Sequence, residues 1–579
     1  MPRCADVPER SLRLPSLLLA ALTALTFLPV CTMDFVAWDD THNLVANPHM
    51  NPPSLGGVGF YWANAYKDLY IPLTYTVWSA LAAVARTADG GVLNSYVFHT
   101  FNLLLHIGGA LLVLAILNHL GLPRGAAFLG AAVFAVHPVQ VEPVAWVSGM
   151  KDVLAGALSL AALLGYIGRR DFRFSIFDFR LPAAERRSCR RSGAAHEREN
   201  RSPGPFLMAT LFFVLAMLAK PSAVVVPLMA VVLDALWMRR PWRQAIAPAG
   251  VWLLLAVPIG IIAKVAQPAA QSLAFVPPLW ARPLVAADAL AFYAMQLVFP
   301  AWLAIDYGRN PQWLLESWQR YVTWLVPVAV AVACVAMRRS LPALAAGCAL
   351  FVAALLPVLG LVPFDFQAYS TVADHYLYLA MLGPALLVAA VAQRWGAGAR
   401  VVLCIIVVIL AIRSHVQTLS WRDSRTLFEH TVYVNPASVA GNVNLAREYA
   451  REAEALLAAG QIPQAGAAAQ RAIDLYSAAL ASSPDDAQAH AGMGGMMRML
   501  GRWDRAEEHY RRAIENGAGS ADVLTALGAA LANQGRVEEA IEWFEAALRQ
   551  DPPPDIARIT EKNLEQARRI LSTRPAQSP

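Results

Sequence analysis

The sequence predicts an all-α protein in which a polytopic membrane domain is followed by a helical repeat domain. Two observations support this prediction. Apolar runs long enough to span a bilayer recur from about residue 14 to about residue 412. The remainder is ordinary, soluble and helix-rich, with a visible 34-residue repeat. We therefore assign residues 1–419 to the membrane domain, 420–437 to a linker and 438–579 to the repeat domain.

Composition agrees with a membrane protein. The chain has 579 residues, of which 57% are hydrophobic and 15% are charged, whereas a soluble domain is usually about a quarter charged. The net charge is +6, but the arginines collect in short segments between apolar runs, where they orient a membrane protein. We therefore expect no nucleic-acid partner. None of the six cysteines lies in the repeat domain, so no disulfide framework is implied there.

The first apolar run, Leu14 to Met33, follows three arginines, Arg3, Arg10 and Arg13. A cleaved signal peptide would begin in this way. No cleavage site with the small-x-small pattern follows the run, so we expect a retained first helix with a cytoplasmic N-terminus.

About eleven transmembrane helices are predicted, near residues 14–33, 98–120, 124–138, 152–168, 205–219, 221–237, 246–264, 321–337, 341–360, 376–393 and 401–418. The arginine-rich connectors, among them a basic loop at 169–204, fall at alternate loops and are expected in the cytoplasm. Two more apolar stretches are expected not to span the membrane: 71–85 is predicted to lie along its surface, and 284–305 to form an interfacial or partly inserted helix. The remaining loops and the repeat domain then lie on the outer side.

The repeat domain carries five positions that recur in register. The first set is Gly494, Gly501, Ala506, Tyr510 and Ala513, and the second is Gly528, Gly535, Ala540, Phe544 and Ala547. The 34-residue offset is the tetratricopeptide period. We predict an α-solenoid of about three repeats, at 438–486, 487–520 and 521–554, with a C-terminal capping helix. Its concave surface would bind a protein or peptide, although a structural cap that binds nothing remains the alternative.

The outer loops gather acids, cations and aromatic rings. The adjacent carboxylates Asp39 and Asp40 follow the first helix, and ionised carboxylates stay out of hydrocarbon unless something pairs or uses them. The other polar positions are His137, Glu142, Lys151, Asp152, Lys220, Asp365, Asp374, His375, Tyr376 and Tyr378. Each also has a structural explanation, such as a helix cap at His137, an exposed ion pair of Glu142 with Lys151, or an interfacial aromatic at Tyr376. Together they suit an enzyme that uses a lipid phosphate carrier, in which a carboxylate deprotonates an acceptor hydroxyl and cations neutralise the departing phosphate.

These segments resemble a known family, the transmembrane and tetratricopeptide-repeat O-mannosyltransferases and their bacterial relatives. The motifs that carry the resemblance are Trp38-Asp-Asp40, His137-Pro-x-x-x-Glu-x-Val-Ala-x-Val-x-Gly-x-x-Asp152, Ala373-Asp-His-Tyr-Leu-Tyr-Leu379 and Trp421-Arg-Asp-Ser-x-x-Leu-Phe-x-x-x-Val-x-x-Asn-Pro436. The resemblance implies an inverting glycosyltransferase of the GT-C fold. Its donor would be a polyprenyl-phosphate sugar, typically mannose, and its acceptor a Ser or Thr of a protein. It also implies a multi-pass protein of the bacterial inner membrane with a periplasmic repeat domain.

The resemblance also suggests roles for single residues. It implies that either Asp39 or Asp40 is catalytic; we favour Asp40 as the base, with Asp39 as a supporting or metal-facing partner and Glu142 as a second acid. No cofactor is certain, but a divalent metal held by Asp39 and Asp40 is one possibility. The candidates for binding the donor phosphate are Lys151, Lys220, His375 and Tyr376. The further candidates are His137, Asp152 and Asp374.

Two other functions fit parts of the sequence. One is a membrane-anchored repeat scaffold for envelope polysaccharide or secretion assembly, although an anchor needs one helix rather than about eleven. The other is a transporter of lipid-linked sugar. Transporters usually carry polar residues near the middle of the membrane and repeated halves, and neither is clear in this sequence.

Overall fold

The computed structural model describes residues 13–86, 93–168, 204–266 and 275–573. The predicted basic loop, 169–204, lies outside the described residues except at its last position. The chain divides into two compact units, Met1–Asp423 and Ser424–Pro579. Regular structure in the described residues is helical, with isolated bridges between Tyr66 and Leu69 and between Arg86 and Leu93.

The first unit contains seventeen α-helices in its described residues. They are α1 Arg13–Phe27, α2 Leu55–Ala63, α3 Pro72–Val84, α4 Ser95–His119, α5 Arg124–Val136, α6 Val141–Ala145, α7 Met150–Ile167, α8 Gly204–Ala219, α9 Val226–Val232, α10 Trp242–Ala266, α11 Arg282–Val298, α12 Pro311–Glu316, α13 Leu325–Ala336, α14 Pro342–Leu355, α15 Leu377–Ala380, α16 Leu382–Arg394 and α17 Gly396–Thr418. Short 3-10 turns connect several of them, including Pro138–Gln140, Pro221–Val225 and Asp374–Tyr376.

Length and apolar composition identify the membrane-spanning candidates. Within the described residues, six helices are each long and apolar enough to cross a membrane, and two bent pairs of helices also qualify. Three shorter apolar helices of this unit, Pro205–Ala219, Pro221–Trp237 and Pro342–Val358, bring the set to the predicted positions. The prediction of an all-α membrane domain is confirmed.

Both bent pairs contain candidate site residues. The first, α5 with the segment Pro138–Ala145, bends by 51°, and the second, Asp374–Ala380 with α16, bends by 53°. Proline supplies no backbone N–H and disfavours a helical conformation in the residue before it. Accordingly, His137 is extended and Pro138 begins a new turn. The first break thus lies at the candidate His137, whereas the second lies at Met381.

The predicted surface stretches at 71–85 and 284–305 form helices α3 and α11. In α3, Tyr75 and Trp78 are fully buried in an aromatic cluster with Tyr61. The placement of α3 and α11 at a membrane surface stays a prediction.

The second unit is a run of eight helices in its described residues. They are α18 Ser424–Val434, α19 Val439–Ala458, α20 Ile462–Ser482, α21 Ala487–Met499, α22 Trp503–Glu515, α23 Ala521–Asn533, α24 Val537–Leu548 and α25 Pro554–Thr573. The predicted linker, 420–437, therefore contains a helix that belongs to this unit.

Glycine–aromatic contacts explain the 34-residue period of this unit. A Cβ added at Gly528 would lie 2.7 Å from Phe544 Cε1, and one at Gly494 would lie 2.7 Å from Tyr510 Cε1. Since no real Cβ approaches another atom so closely, only glycine lets the aromatic ring pack at either position. The helix pairs α21–α22 and α23–α24 thus repeat one packing solution, as tetratricopeptide units do.

Candidate active site

The Asp40 carboxylate is fully buried and connects the loop after α1 to the segment before α7. Its Oδ1 accepts hydrogen bonds from the Ser148 backbone N–H at 2.9 Å and the Ser148 hydroxyl at 2.7 Å, and its Oδ2 accepts one from the Val36 N–H at 3.1 Å. Burial raises the pKa of Asp40 to about 6, while these donors oppose the rise. With both oxygens engaged, Asp40 is suited to holding the loops together.

Asp39 has the opposite environment. Its side chain is 44% exposed, and its Oδ2 lies 3.6 Å from Lys151 Nζ, whose own side chain is only 11% exposed. Lys151 also places its ammonium 4.6 Å from the centre of the Trp146 ring, a favourable cation–π distance. Asp39 is therefore the carboxylate that an incoming hydroxyl can reach, with a buried cation beside it.

A second ion pair lies one residue further along α7. Lys220 donates a hydrogen bond to Asp152 Oδ1, and both side chains are largely buried. Lys220 occupies the break between α8 and the turn Pro221–Val225, and its Nζ lies 5.5 Å from the centre of the Tyr376 ring. The two predicted phosphate-binding lysines thus each carry an acidic partner and an aromatic neighbour.

Glu142 stabilises the loop that leads into α15. Its Oε2 accepts hydrogen bonds from the backbone N–H groups of Asp374 at 2.9 Å and His375 at 3.2 Å, and its Oε1 lies 2.7 Å from His375 Nδ1. These contacts stabilise the turn Asp374–Tyr376 and orient the imidazole. The alternative of an exposed Glu142–Lys151 ion pair is wrong, because the partner of Glu142 is His375 and both side chains are buried.

Two other predicted residues have structural partners. Both carboxylate oxygens of Asp374 lie 2.9 Å from the Tyr307 hydroxyl, so Asp374 is buried and hydrogen-bonded rather than solvated. His137 ends α5, and its Nε2 lies 3.1 Å from the Leu297 carbonyl oxygen. The helix-cap interpretation of His137 agrees with this geometry.

A cleft lies beside these groups. The polar residues of its lining are Asp152, Ser159, Lys220, Ser222, His375, Tyr376 and Tyr378, and the rest of its lining is apolar. An apolar cleft with a few convergent polar groups is the usual form of a small-molecule site. Of the candidates, the structure brings Asp152, Lys220, His375 and Tyr376 together on this cleft, with Asp39 joined to the same group through Lys151.

The residues present do not fit a divalent metal. Among the described residues, no group of three or more histidine, cysteine or acidic side chains could hold an ion. Asp40 uses both carboxylate oxygens as hydrogen-bond acceptors within the protein, so it would have to give up these bonds to act as a ligand. We derive no metal-dependent step.

A comparison with models of protein families identifies the repeats of the second unit. A family model described as tetratricopeptide repeat matches residues 450–521 and 498–553. The predicted repeat type is therefore confirmed.

Curated proteins are also similar in sequence to part of this chain. Protein O-mannosyl-transferase TMTC1 of Mus musculus is 32% identical over 170 residues, which are 28% of this chain and 17% of that protein. Protein O-mannosyl-transferase F38B6.6 of Caenorhabditis elegans is 28% identical over 167 residues, 27% of this chain and 23% of that protein. The chain resembles protein O-mannosyl-transferases. The predicted resemblance is thus confirmed, and the chain is a multi-pass membrane protein, but the matches span less than a quarter of these relatives' length.

One solved structure aligns with a larger part of the chain, but with lower sequence identity. The oligosaccharyltransferase of Archaeoglobus fulgidus, crystallised with a tethered acceptor peptide, aligns over 71% of this chain and 55% of its own, with a TM-score of 0.38 and 11% identity. This degree of overlap does not establish a shared fold.

Three residues of the site were missed by reasoning from sequence. Ser148 lies within the recognised motif and could have been identified as the partner of a nearby acid. Ser159 lies seven residues after Asp152, so helical spacing places both on one face of α7. Tyr307, in contrast, lies in a connector with no periodic pattern, and no sequence signal distinguishes it.

Proposed function

We propose that this chain is an integral-membrane glycosyltransferase that transfers a sugar, mannose by resemblance, from a polyprenyl-phosphate donor to a Ser or Thr hydroxyl of a protein. The observation that carries the proposal is the partly exposed Asp39 carboxylate, 3.6 Å from the buried ammonium of Lys151, next to a cleft lined by Lys220 and His375. One cation, Lys220, lines the cleft, and the base Asp39 and the second cation Lys151 lie close enough to interact electrostatically with His375 on it, as transfer from a phosphate carrier requires.

In this proposal Asp39, rather than Asp40, is the base. Asp39 takes the proton of the acceptor hydroxyl while the hydroxyl oxygen forms a bond to the anomeric carbon. The bond between that carbon and the phosphate oxygen breaks, and polyprenyl phosphate leaves with the electron pair. Lys151 and Lys220 stabilise the negative charge that accumulates on the leaving phosphate, and attack from the opposite face inverts the anomeric centre.

The assignment of the base departs from the sequence expectation for a physical reason. A general base must reach the proton that it abstracts. Asp40 is fully buried and accepts three hydrogen bonds, whereas 44% of the Asp39 side chain is exposed. Once Asp39 has taken the proton it is neutral, so its pair with Lys151 carries a net positive charge beside the leaving phosphate.

The proposal extends to orientation and partners. The arginine distribution supports a cytoplasmic N-terminus, with the site and the tetratricopeptide unit on the periplasmic face of a bacterial inner membrane. The repeat unit would then present protein acceptors to the site. A reporter fused to the C-terminus tests this orientation, and a cytoplasmic signal would contradict it.

The decisive experiment incubates purified protein in lipid nanodiscs with polyprenyl-phosphate mannose and serine- or threonine-containing peptides, followed by mass spectrometry. We expect mannosylated peptide from the wild type and at least a hundredfold loss in Asp39→Asn. Asp68→Asn, at an exposed acid of the first outer segment, is the matched control and should leave transfer unchanged. Full activity in Asp39→Asn would remove Asp39 from the mechanism.

The two alternative functions, a transporter and a scaffold, predict different experimental results. A transporter would move labelled carrier lipid across proteoliposomes without any acceptor. A scaffold would retain its cellular role as a fragment of residues 420–579 without the membrane domain.

A further inference from the structure

Two buried oxygen atoms on one face of α7 lack a hydrogen-bond partner in the part of the chain that the structure describes. They are Asp152 Oδ2 and Ser159 Oγ. Asp152 is 8% exposed and Ser159 is fully buried, and both residues line the cleft. A buried polar atom without a partner costs free energy, about 1–3 kcal/mol in typical proteins, so a ligand that supplies the missing partner gains from binding there.

In the apolar helices that the structure describes, Ser16 and Ser159 are buried serines whose Oγ has no hydrogen-bond partner, and of these two only Ser159 lines the cleft. A serine or threonine within a helix commonly bonds to the carbonyl four residues earlier. Thr23, Thr26 and Thr210 do so, each with an oxygen–oxygen distance of 2.8 Å. Ser159 makes no such bond and lines the cleft instead.

The chemistry of Asp152 limits what can lie beside it. An ionised carboxylate only accepts hydrogen bonds, so its partner must donate one. Phosphate oxygens of a diester carry no donor and are repelled by the carboxylate, and a prenyl chain has no polar atom at all. A sugar hydroxyl donates to Asp152, and it both donates to and accepts from Ser159.

The spacing between the two residues limits the size of the ligand. Seven residues of helix rise about 10 Å. Two hydrogen bonds of about 2.8 Å each leave about 5 Å between the bonded ligand atoms, which corresponds to the width of one pyranose ring. Ala155 and Gly156 lie between the two residues on the same cleft-lining face. The Tyr378 ring packs against Gly156, where an added Cβ would lie 2.3 Å from Tyr378 Cδ1, so an aromatic ring forms the wall of the cleft beside the ligand.

We propose that Asp152 and Ser159 form the subsite for a single hexose ring of the donor, each binding a hydroxyl at opposite edges of the ring. The inference rests on the proposed function and adds to it a place for the sugar. Lys220, which shares Asp152 with this subsite, lies at the end of the cleft where the phosphate would be. Ser159 is then a specificity-determining residue, and a lipid-linked disaccharide would be too long for the subsite.

The test combines one substitution with a set of modified donors. Polyprenyl-phosphate mannose and its 2-, 3-, 4- and 6-deoxy analogues are compared on the wild type, Ser159→Ala and Ser16→Ala. Ser16 is a buried serine of α1 that does not line the cleft, so it is a matched control. Two readouts are used in nanodiscs, namely peptide mannosylation and equilibrium binding of radiolabelled donor.

We expect the wild type to lose binding and kcat/KM for two deoxy positions, with the larger loss at the position that faces the charged Asp152. For the position that faces Ser159, the expected loss is about 3- to 10-fold, which is the value of one neutral hydrogen bond. Ser159→Ala should lose a similar factor with the full donor and lose nothing more with that deoxy analogue, while Ser16→Ala should follow the wild type. Identical deoxy profiles for the wild type and Ser159→Ala would overturn the subsite and indicate that water alone occupies it. Ser159-dependent binding without any transfer would leave the subsite standing and contradict the proposed function instead.

Discussion

The Asp40 carboxylate accepts hydrogen bonds from both the backbone N–H and the hydroxyl of Ser148, which lies 108 residues later in the chain. One carboxylate therefore holds the loop after α1 against the start of α7. Asp39 precedes Asp40 and Lys151 follows Ser148 by three residues, so this connection brings Asp39 and Lys151 to their 3.6 Å separation. In the proposed reaction Asp40 would thus act through the position of its neighbour.

The first prediction concerns Asp40→Asn. An asparagine presents one acceptor and one donor group, so its amide N–H would face the N–H of either Val36 or Ser148. We expect a loss of about 1–3 kcal/mol in stability and a lower midpoint of thermal unfolding, measured by tryptophan fluorescence in detergent. Asp68→Asn should match the wild type. An unchanged midpoint together with abolished transfer would return the role of base to Asp40.

A second prediction separates the positioning role of Glu142 from an acidic one. Glu142→Gln keeps an oxygen for the N–H groups of Asp374 and His375, and its amide can donate to the imidazole, so transfer should fall less than about tenfold. Glu142→Ala leaves the buried donors without an acceptor, which costs about 1–3 kcal/mol each, and transfer should be lost. The two rates are compared in the nanodisc assay. Complete loss in Glu142→Gln, with unfolding unchanged, would assign Glu142 a direct chemical role.

The third prediction concerns pH and the repeat unit. His490 Nδ1 and His509 Nδ1 lie 3.0 Å apart. Burial, together with the neighbouring His490, lowers the pKa of His509. The unfolded chain therefore takes up a proton before the folded one does, so stability is full above the ordinary histidine pKa of about 6.5 and decreases as the pH falls through it.

Amide hydrogen exchange in the intact protein measures this effect. After correction for intrinsic exchange rates, α21 and α22 should lose protection at pH 5.5 relative to pH 7.5. His509→Gln removes the titrating group and should reduce the difference. Equal pH dependence in the variant would show that other groups cause it.

A fourth prediction tests the packing behind the 34-residue period. An alanine at Gly528 would place its Cβ 2.7 Å from Phe544 Cε1, which forces the helices apart and should cost about 1–3 kcal/mol. Gly519 has no atom within 4 Å of an added Cβ, so Gly519→Ala should change stability little. The midpoints of thermal unfolding of the two variants are compared by following the helical signal in circular dichroism. Equal midpoints would contradict the packing explanation.

The helices and repeats were predictable because their signals are local. An apolar run has the length of a membrane span wherever it occurs, and the glycine and aromatic of one repeat unit, such as Gly528 and Phe544, touch within that unit. Asp39 and Asp40 were recognised as a pair for the same reason. Their different environments were not predictable, because the partner of each is chosen by a fold that brings residues 40 and 148 together. A hydrogen bond between distant loops leaves no periodic trace in the sequence.

The contacts of Glu142 have a further consequence for how the protein is made. The backbone groups that this carboxylate binds lie 232 and 233 residues downstream, so they are synthesised after most of the membrane helices. Until then the turn that carries His375 does not exist, and Glu142 lacks these hydrogen-bond partners. A chain whose synthesis ends before residue 374 would therefore already be embedded in the bilayer but would lack the complete cleft. Insertion into the membrane and formation of the complete cleft are therefore separate events, and the second occurs only after residues 374 and 375 have been synthesised.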